Sequence, residues 1–281
     1  MPPRPNPTAR QVRLGAELRR LRDTSGIESR DAAAFLGTNQ TQISHIEAGR
    51  FGISEERLRR LARFYACDDA RLVDALVEMS DQLRGAWWKK FRGLMPPQAL
   101  DIAELEHHAS SVRTFEAVHI PGLLQTEEHV RAASLFLDPE LPESECETRV
   151  EFRMRRQQVL ESGTPYNAII HEAALRMRVG GSKTARAQLE HLLRTSQRET
   201  VTIRVIPFSA DGFAGAGLPM QYLGGVVPQL DTAQTDTPQG ATFTDAPAQL
   251  QRCRIRLKRI DSTALTQDAS LDLIRHIAQE L

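Results

Sequence analysis

The sequence has few cysteines, few aromatic residues and no long apolar run, and each scarcity excludes a class of protein. Cys67, Cys146 and Cys253 stand far apart, so they form neither a disulfide framework nor a metal-ligand spacing. Aromatic residues make up 5% of the chain, which disfavours aromatic platforms that stack bases. No apolar stretch approaches the roughly 20 residues of a membrane span, and the opening MPPRPNPTAR lacks the apolar core of a secretory signal. We therefore expect a cytoplasmic protein that does not enter a membrane.

The chain also lacks net charge, but its charges are unevenly distributed. Residues 1–67 hold 12 Arg and 7 acidic residues, which is a net charge of +5, and the remainder has a net charge of −5. This asymmetry favours a small basic domain that faces phosphate, followed by a larger and mildly acidic domain.

Hydrophobic periodicity divides the chain into four parts. Residues 1–7 are rich in proline and predict a disordered tail. Residues 8–79 predict an all-α domain, residues 80–97 a linker with a connecting helix that ends near Leu94, and residues 98–281 an α+β domain. The five helices expected in the first domain are Thr8–Asp23, Ser29–Leu36, Gln40–Ala48, Glu55–Ala66 and Asp69–Met79.

The second domain mixes helical and strand patterns. Strands are expected at Asn167–His171, Thr200–Ile206 and Met220–Val227. Residues 209–217 and 228–240 are predicted to be mobile loops, and whether they form a ligand site stays open. The helices expected are Gln98–Ser111, Gln125–Leu137, Glu143–Leu160, Thr184–Ser196, Ala246–Ile260 and Ser270–Glu280.

The segment Gly26–Arg50 has the features that a DNA-reading helix pair requires. A short helix must enter the major groove, and a second helix must brace it at a steep angle. The small residues Ala32–Ala34 suit the crossing point, and Gly37 suits the tight turn between the helices. Polar side chains then follow on the groove-entering helix Gln40–Ala48, while Ile43 and Ile46 are expected to anchor it inward.

The polar residues of the groove-entering helix match the donor and acceptor patterns of DNA. Asn39 suits the N-cap position, and Gln40 and Thr41 suit adenine and the thymine methyl group. Ser44, His45 and Arg50 are placed for phosphate or a neighbouring base. The alternative is a plain helical hairpin with polar residues in solvent. We expect the DNA-binding residues to be Asn39, Gln40, Thr41, Ser44, His45 and Arg50 on or beside this helix, with Ser29 and Arg30 at the start of the bracing helix.

This segment resembles the Cro/CI-type (XRE) helix-turn-helix family, including its ending QISHIEAGR. The resemblance covers about residues 9–79 and implies a five-helix, lambda-repressor-like domain that binds double-stranded operator DNA. In place of the Thr-Gln pair that opens the brace helix in the family, Glu28 and Ser29 stand here, and Arg30 is the candidate replacement for the phosphate contact. His45 stands where the family often has Arg or Lys, so phosphate affinity is expected to rise as His45 gains a proton.

The remainder, from Trp87 onward, is similar to a domain that accompanies this helix-turn-helix in many actinobacterial regulators. The matching stretches are WWKKFRGLMPP, SSVRTFEAVHIPGLLQTEEHVRA, HEAALRMRVGG, AQLEHLL, VTIRVIPF and SLDLIRHIAQEL. That domain has no known function or is described as antitoxin-like. The resemblance implies a small partner protein encoded nearby, and a small-molecule effector is the other expectation.

Other motifs are incomplete. His171-Glu172 opens like a zinc-protease helix, but Leu175 replaces the second histidine. Ser182 interrupts the Gly-Lys pair of a phosphate-binding loop, and no catalytic triad is evident. We expect no enzymatic activity, no cofactor and no metal. The expected function is that of a homodimeric, sequence-specific transcriptional regulator. The alternatives are an antitoxin-like interaction module and an enzyme that carries a DNA-binding domain to direct it to DNA.

Overall fold

The computed structural model describes residues 4–80, 86–214, 219–237 and 240–281. The chain divides into two compact units. The N-terminal unit comprises Met1–Lys89 with the segment Val226–Leu230, and the C-terminal unit comprises Lys90–Gly225 and Asp231–Leu281. Parts of four predicted segments lie outside the described residues: positions 1–3 of the tail, 81–85 of the linker, 215–217 of the first loop and 238–239 of the second.

The N-terminal unit contains the five predicted helices, and each begins and ends within two residues of its expected bounds. Thr8 begins the first helix with a capping box, in which its hydroxyl accepts from the Gln11 amide and the Gln11 side chain accepts from the Thr8 amide. Leu18, Leu58 and Leu76 meet in one buried core. The helices are α1 (Ala9–Thr24), α2 (Ser29–Phe35), α3 (Gln40–Glu47), α4 (Glu55–Phe64) and α5 (Ala70–Ser80).

The predicted connecting helix is shorter than expected. In place of a helix that ends near Leu94, a 3-10 helix spans Trp87–Phe91. Trp88 is buried, Trp87 is half-buried, and their rings meet edge to face with centroids 5.8 Å apart. Among the described residues, no helix has the length and apolar character that crossing a membrane requires.

The C-terminal unit is built on a six-stranded mixed sheet with the order β3-β2-β1-β4-β5-β6. The first three strands in the chain run parallel to one another, and the other three extend the sheet through antiparallel pairs. The strands are β1 (Ser111–Glu116), β2 (Tyr166–His171), β3 (Val201–Ile206), β4 (Met220–Gly224), β5 (Thr232–Thr237) and β6 (Gly240–Thr244).

Seven α-helices accompany this sheet among the described residues: α6 (Pro97–His107), α7 (Glu127–Leu137), α8 (Glu143–Arg156), α9 (Glu172–Arg176), α10 (Ser182–Thr195), α11 (Pro247–Thr263) and α12 (Gln267–Glu280). Strand β1 begins at the position where the sequence predicted the end of a helix. Strand β5 lies inside residues 228–240, which were wrongly predicted to be a loop throughout. Its sequence TAQTDT is polar but β-branched, so it pairs with β4 and β6 without an apolar signature.

One face of this sheet is apolar. Met220, Tyr222 and Ala233 pack against Leu250 and Leu257 of α11. A second cluster joins Phe115 and Ile206 to Ile260. The opposite side of β1 and β4 carries polar residues, because side chains alternate along a strand.

Candidate nucleic-acid interface

The brace helix is α2, and it meets α3 through small residues, as the sequence predicts. Ala32 and Ala33 are buried, and Gly37 has a φ of 62° in the turn between the helices. Ala34, which we also expected at the crossing, is exposed. The two buried alanines therefore suffice for the close approach.

A second close contact holds α3 against α1. A Cβ atom on Gly15 would lie 2.4 Å from the backbone oxygen of Glu47 and 2.7 Å from that of Ile46. Only a glycine fits there, since real Cβ atoms do not approach backbone so closely. Ile43 and Ile46 are buried on the inner side of α3. The inner side of α3 is thus fixed by backbone contact as well as by side-chain packing.

An ion pair in the interior adds an electrostatic anchor. The Arg22 Nε donates to Glu47 Oε1 at 2.6 Å, and its second terminal nitrogen donates to Glu47 Oε2 at 3.0 Å. Arg22 also donates to the Ile27 carbonyl at 3.1 Å. Both side chains are largely buried, and the hydrogen bond to Glu47 raises the pKa of Arg22. Bidentate pairs of this kind fix orientation as well as distance.

The start of α3 presents the residues expected to read bases. Asn39 caps the helix, because its side-chain oxygen accepts from the Gln42 amide at 2.8 Å. Gln40 is exposed, and its Nε2 donates to the Ser29 hydroxyl of α2 at 2.8 Å. Thr41 and Ser44 are also exposed. The bond to Ser29 leaves the Gln40 carbonyl oxygen and one N–H free to pair with adenine.

His45 differs from the outward orientation that the sequence predicts. Its ring is half-buried and stacks on Phe51, with centroids 5.0 Å apart and planes inclined by 25°. The Nδ1 atom is buried and has no hydrogen-bond partner among the described residues. His45 therefore packs against Phe51 in the loop that follows α3, and only part of its ring reaches the solvent-exposed surface of the helix.

Arginines surround this surface, and one of them lies in the segment predicted to be a disordered tail. Arg50 is exposed, and Arg30 is exposed with Glu28 and Asp31 each 3.7 Å away. Arg4, which we assigned to the disordered tail, donates its backbone amide to the Arg50 carbonyl at 2.9 Å and a guanidinium N–H to the Gly49 carbonyl at 3.4 Å. A cation in the arm before the first helix is a signal that could have indicated this residue.

The comparisons with protein families agree with this architecture. A model described as a helix-turn-helix domain matches residues 13–76, and a model described as a domain of unknown function (DUF5753) matches residues 99–276. The chain belongs to the DUF5753 family. Searches of curated proteins and of solved structures gave no match.

The two matches confirm the predicted fold class. The helix-turn-helix match covers α1 to most of α5, and the DUF5753 match begins in α6 and ends in α12. An N-terminal, five-helix DNA-binding domain is followed by an α+β DUF5753 domain. The helix-turn-helix identifies the chain as a DNA-binding regulator.

Proposed function

We propose that this protein is a sequence-specific transcriptional regulator of the Cro/CI (XRE) kind that binds operator DNA as a homodimer. The observation that carries the proposal is the surface of α3: Asn39, Gln40, Thr41 and Ser44 are exposed together on a helix whose inner side is fixed to α1. A rigid helix with a polar outer edge can hold its side chains at base-pair spacing.

The homodimer follows from the size of this surface. One short helix contacts only a few base pairs, which is too few to select one operator in a genome. Two copies on a pseudo-palindrome supply the missing specificity and affinity. We assign dimer formation and the sensing of an effector to the C-terminal unit, so that sensing changes the affinity of the pair for DNA.

Phosphate contacts would set the register of α3 in the groove. Arg50 and Arg4 lie at its C-terminal end, and Ser29 and Arg30 open the brace helix. Such contacts carry no sequence information, but each one adds affinity that falls as salt concentration rises.

We assign no enzymatic activity to either unit. The protein would act in the cytoplasm, where its operator lies.

The test is selection of bound sequences from random DNA, followed by affinity measurements on the selected operator and on random DNA. Gln40→Ala and Thr41→Ala should each weaken preference for the operator by about 1–3 kcal/mol, because each loses a base contact. Thr24→Ala, an exposed threonine at the end of α1, is the matched control and should bind as wild type does. Arg50→Ala should weaken binding to all sequences and flatten the salt dependence.

Two results would contradict this assignment. One is an equal loss on operator and random DNA for Gln40→Ala and Thr41→Ala. The other is a selection in which the protein binds DNA but no particular sequence becomes enriched.

A second candidate function is that of an antitoxin-like module that neutralises a small partner protein and represses its own operon. The observation that favours it is the apolar end of α7, where Phe136 is 87% exposed and Leu137 is 82% exposed. Exposed apolar residues side by side often mark a binding surface. Co-expression with a small protein encoded beside this chain should then yield a complex that Phe136→Ser disrupts.

A further inference from the structure

The C-terminal unit contains a large cavity over the polar side of its sheet. Its volume is about 990 Å³, at the upper end of the range for pockets that enclose drug-sized molecules. Helices α6, α7 and α8 and strands β1, β2, β4 and β5 all contribute to its lining. We call it the amphipathic cavity, because its floor and its rim differ in chemistry.

The floor is polar because of strand register. Thr114 of β1 is paired with Gln221 of β4, and Gln221 is paired with Gln234 of β5. These three side chains form a row across the sheet, and all three are buried. A polar row on a buried sheet face costs stability unless its groups find partners.

Several polar atoms of the floor have no such partner. Tyr166 is 2% exposed, His129 is 5% exposed and Thr114 is 7% exposed. The His129 Nδ1 and the Glu116 Oε2 have no hydrogen-bond partner among the described residues. Within the same ranges, the Tyr166 and Thr114 hydroxyls have only each other, and their contact does not reach normal hydrogen-bond geometry. Buried polar groups are almost always paired in native proteins, so poorly satisfied polar atoms around one cavity favour a site for a polar ligand.

Arg153 gives this cavity a cation. Its guanidinium donates to the neutral side chain of Gln125 at 2.8 Å, and within the described ranges it forms no ion pair with an acid. Its neighbour Arg156 differs, because Arg156 forms a bidentate pair with the buried Glu106 at 2.7 and 2.9 Å. Burial lowers the pKa of Arg153 to about 10, a value at which the group still carries its charge at neutral pH.

The acids near Arg153 leave room for a further anion. Glu106 is engaged by Arg156 and by Gln221, and Asp236 is exposed and accepts from Gln234. Burial raises the pKa of Glu116 to about 8, so this carboxyl is mainly protonated and can donate at neutral pH. The floor therefore offers a cation and several donors but few acceptors.

The rim is apolar and open. Leu135, Phe136 and Leu137 from the end of α7 face Met177 and Val179 around the cavity. Of these, Phe136 and Leu137 are the most exposed large apolar residues in the described parts of the chain. A hydrocarbon group held there would shield apolar surface that now meets water.

We infer that the amphipathic cavity binds a small organic carboxylate with an apolar body. The carboxylate accepts from Arg153 and from the Tyr166 and Thr114 hydroxyls, and the apolar body lies between α7 and Met177. That this molecule is the effector of DNA binding rests on the function proposed above, whereas the binding itself does not.

The test uses the full chain and three probes that separate head from body. Decanoate, decan-1-ol and butyrate are titrated by isothermal calorimetry. Decanoate should bind at least about tenfold more tightly than decan-1-ol, which lacks the charge, and than butyrate, which lacks most of the apolar body. Equal affinity for decanoate and decan-1-ol, or binding of none of the three, would overturn the inference.

Two variants and one matched control locate the binding. Arg153→Met should remove the preference for decanoate over decan-1-ol, whereas Arg155→Met, the same change on α8 outside the cavity lining, should retain it. Ala133→Phe places a ring in the cavity that Ala133 lines and should abolish binding, while the melting temperature stays equal or rises because the ring fills open space. Decanoate binding by Ala133→Phe or a preserved preference in Arg153→Met would place the carboxylate elsewhere.

Operator affinity in the presence of decanoate separates the two proposals. A shift in affinity that Arg153→Met removes supports both. Tight decanoate binding with unchanged operator affinity supports the cavity assignment and contradicts sensing by the C-terminal unit.

Discussion

The surface of α3 and the amphipathic cavity differ in the burial and in the hydrogen bonding of their polar residues. On α3, Asn39 and Gln40 are exposed and already have protein partners. In the cavity, the buried side-chain atoms His129 Nδ1 and Glu116 Oε2 have none in the described chain. A surface that meets hydrated DNA can be built at little cost in stability, whereas a site that encloses a small molecule must hold desolvated groups ready before the ligand arrives.

The comparison predicts that the stability of α3 depends far more on its buried anchors than on its exposed edge. Glu47→Ala removes the partner of Arg22 and leaves a buried cation, so the free energy of unfolding of the N-terminal unit should fall by about 3–5 kcal/mol. Hydrogen exchange of α3 in the full chain measures this loss as reduced protection. Operator affinity should fall in parallel.

Two further variants identify the cause. The double variant Arg22→Met/Glu47→Met removes both charges and should recover most of the protection. Glu55→Ala breaks the exposed bond to Arg59 and should change protection little, because exposed ion pairs contribute little. Full protection in Glu47→Ala would show that packing alone holds α3.

Sequence reasoning located the first of these sites because its determinants are local. Gly37, the N-cap Asn39 and the inward pair Ile43 and Ile46 all lie within ten residues of one another, so periodicity and capping rules suffice. Two features escaped this reasoning, because both depend on tertiary contact. The ring of His45 packs on Phe51, and Arg4 returns to the end of α3.

The cavity could not be predicted in the same way, because three helices, four strands and a 3-10 turn at Gly122–Leu124 contribute to it. Thr114, Gln221 and Gln234 are far apart in the chain, and only the register of β1, β4 and β5 brings them into one row. Neither β1 nor β5 has the apolar alternation that predicts a strand, so the row could not be inferred from the sequence. Burial also reverses the usual meaning of these residues, since polar strands normally indicate solvent.

The comparison also predicts that the stability of the C-terminal unit falls as the pH rises toward about 8. Burial, together with the Asp236 carboxylate and against the opposing effect of Arg153, raises the pKa of Glu116 to about 8. In the unfolded chain, the pKa of a glutamate is about 4.3. Between about pH 6.5 and pH 8 the folded state therefore binds a proton that the unfolded state lacks, and the free energy of unfolding falls by up to about 1.4 kcal/mol per pH unit.

Urea denaturation of the full chain across this pH interval measures the effect. His129 does not contribute there, since burial lowers its pKa to about 4 and it is neutral in both states. Glu116→Gln should flatten the profile and raise stability near pH 8, whereas Glu128→Gln, an exposed change on α7, should leave the profile as it is. A wild-type profile as flat as that of Glu116→Gln would mean that the carboxyl is ionised at neutral pH.

The smallest expected effects separate the two kinds of polar residue most directly. Asn39→Ala removes a helix cap and should lower the stability of the N-terminal unit by about 1 kcal/mol. Tyr166→Phe removes a buried hydroxyl whose only side-chain contact of this kind among the described residues, with the Thr114 hydroxyl, falls short of normal hydrogen-bond geometry. The stability of the C-terminal unit should therefore stay within about 0.5 kcal/mol of wild type or rise. Hydrogen exchange of α3 and of β2 in the full chain measures both changes. A loss in Tyr166→Phe as large as that in Asn39→Ala would mean that the hydroxyl is already satisfied without a ligand, because only a group in need of a partner can be deleted from a folded interior at no cost.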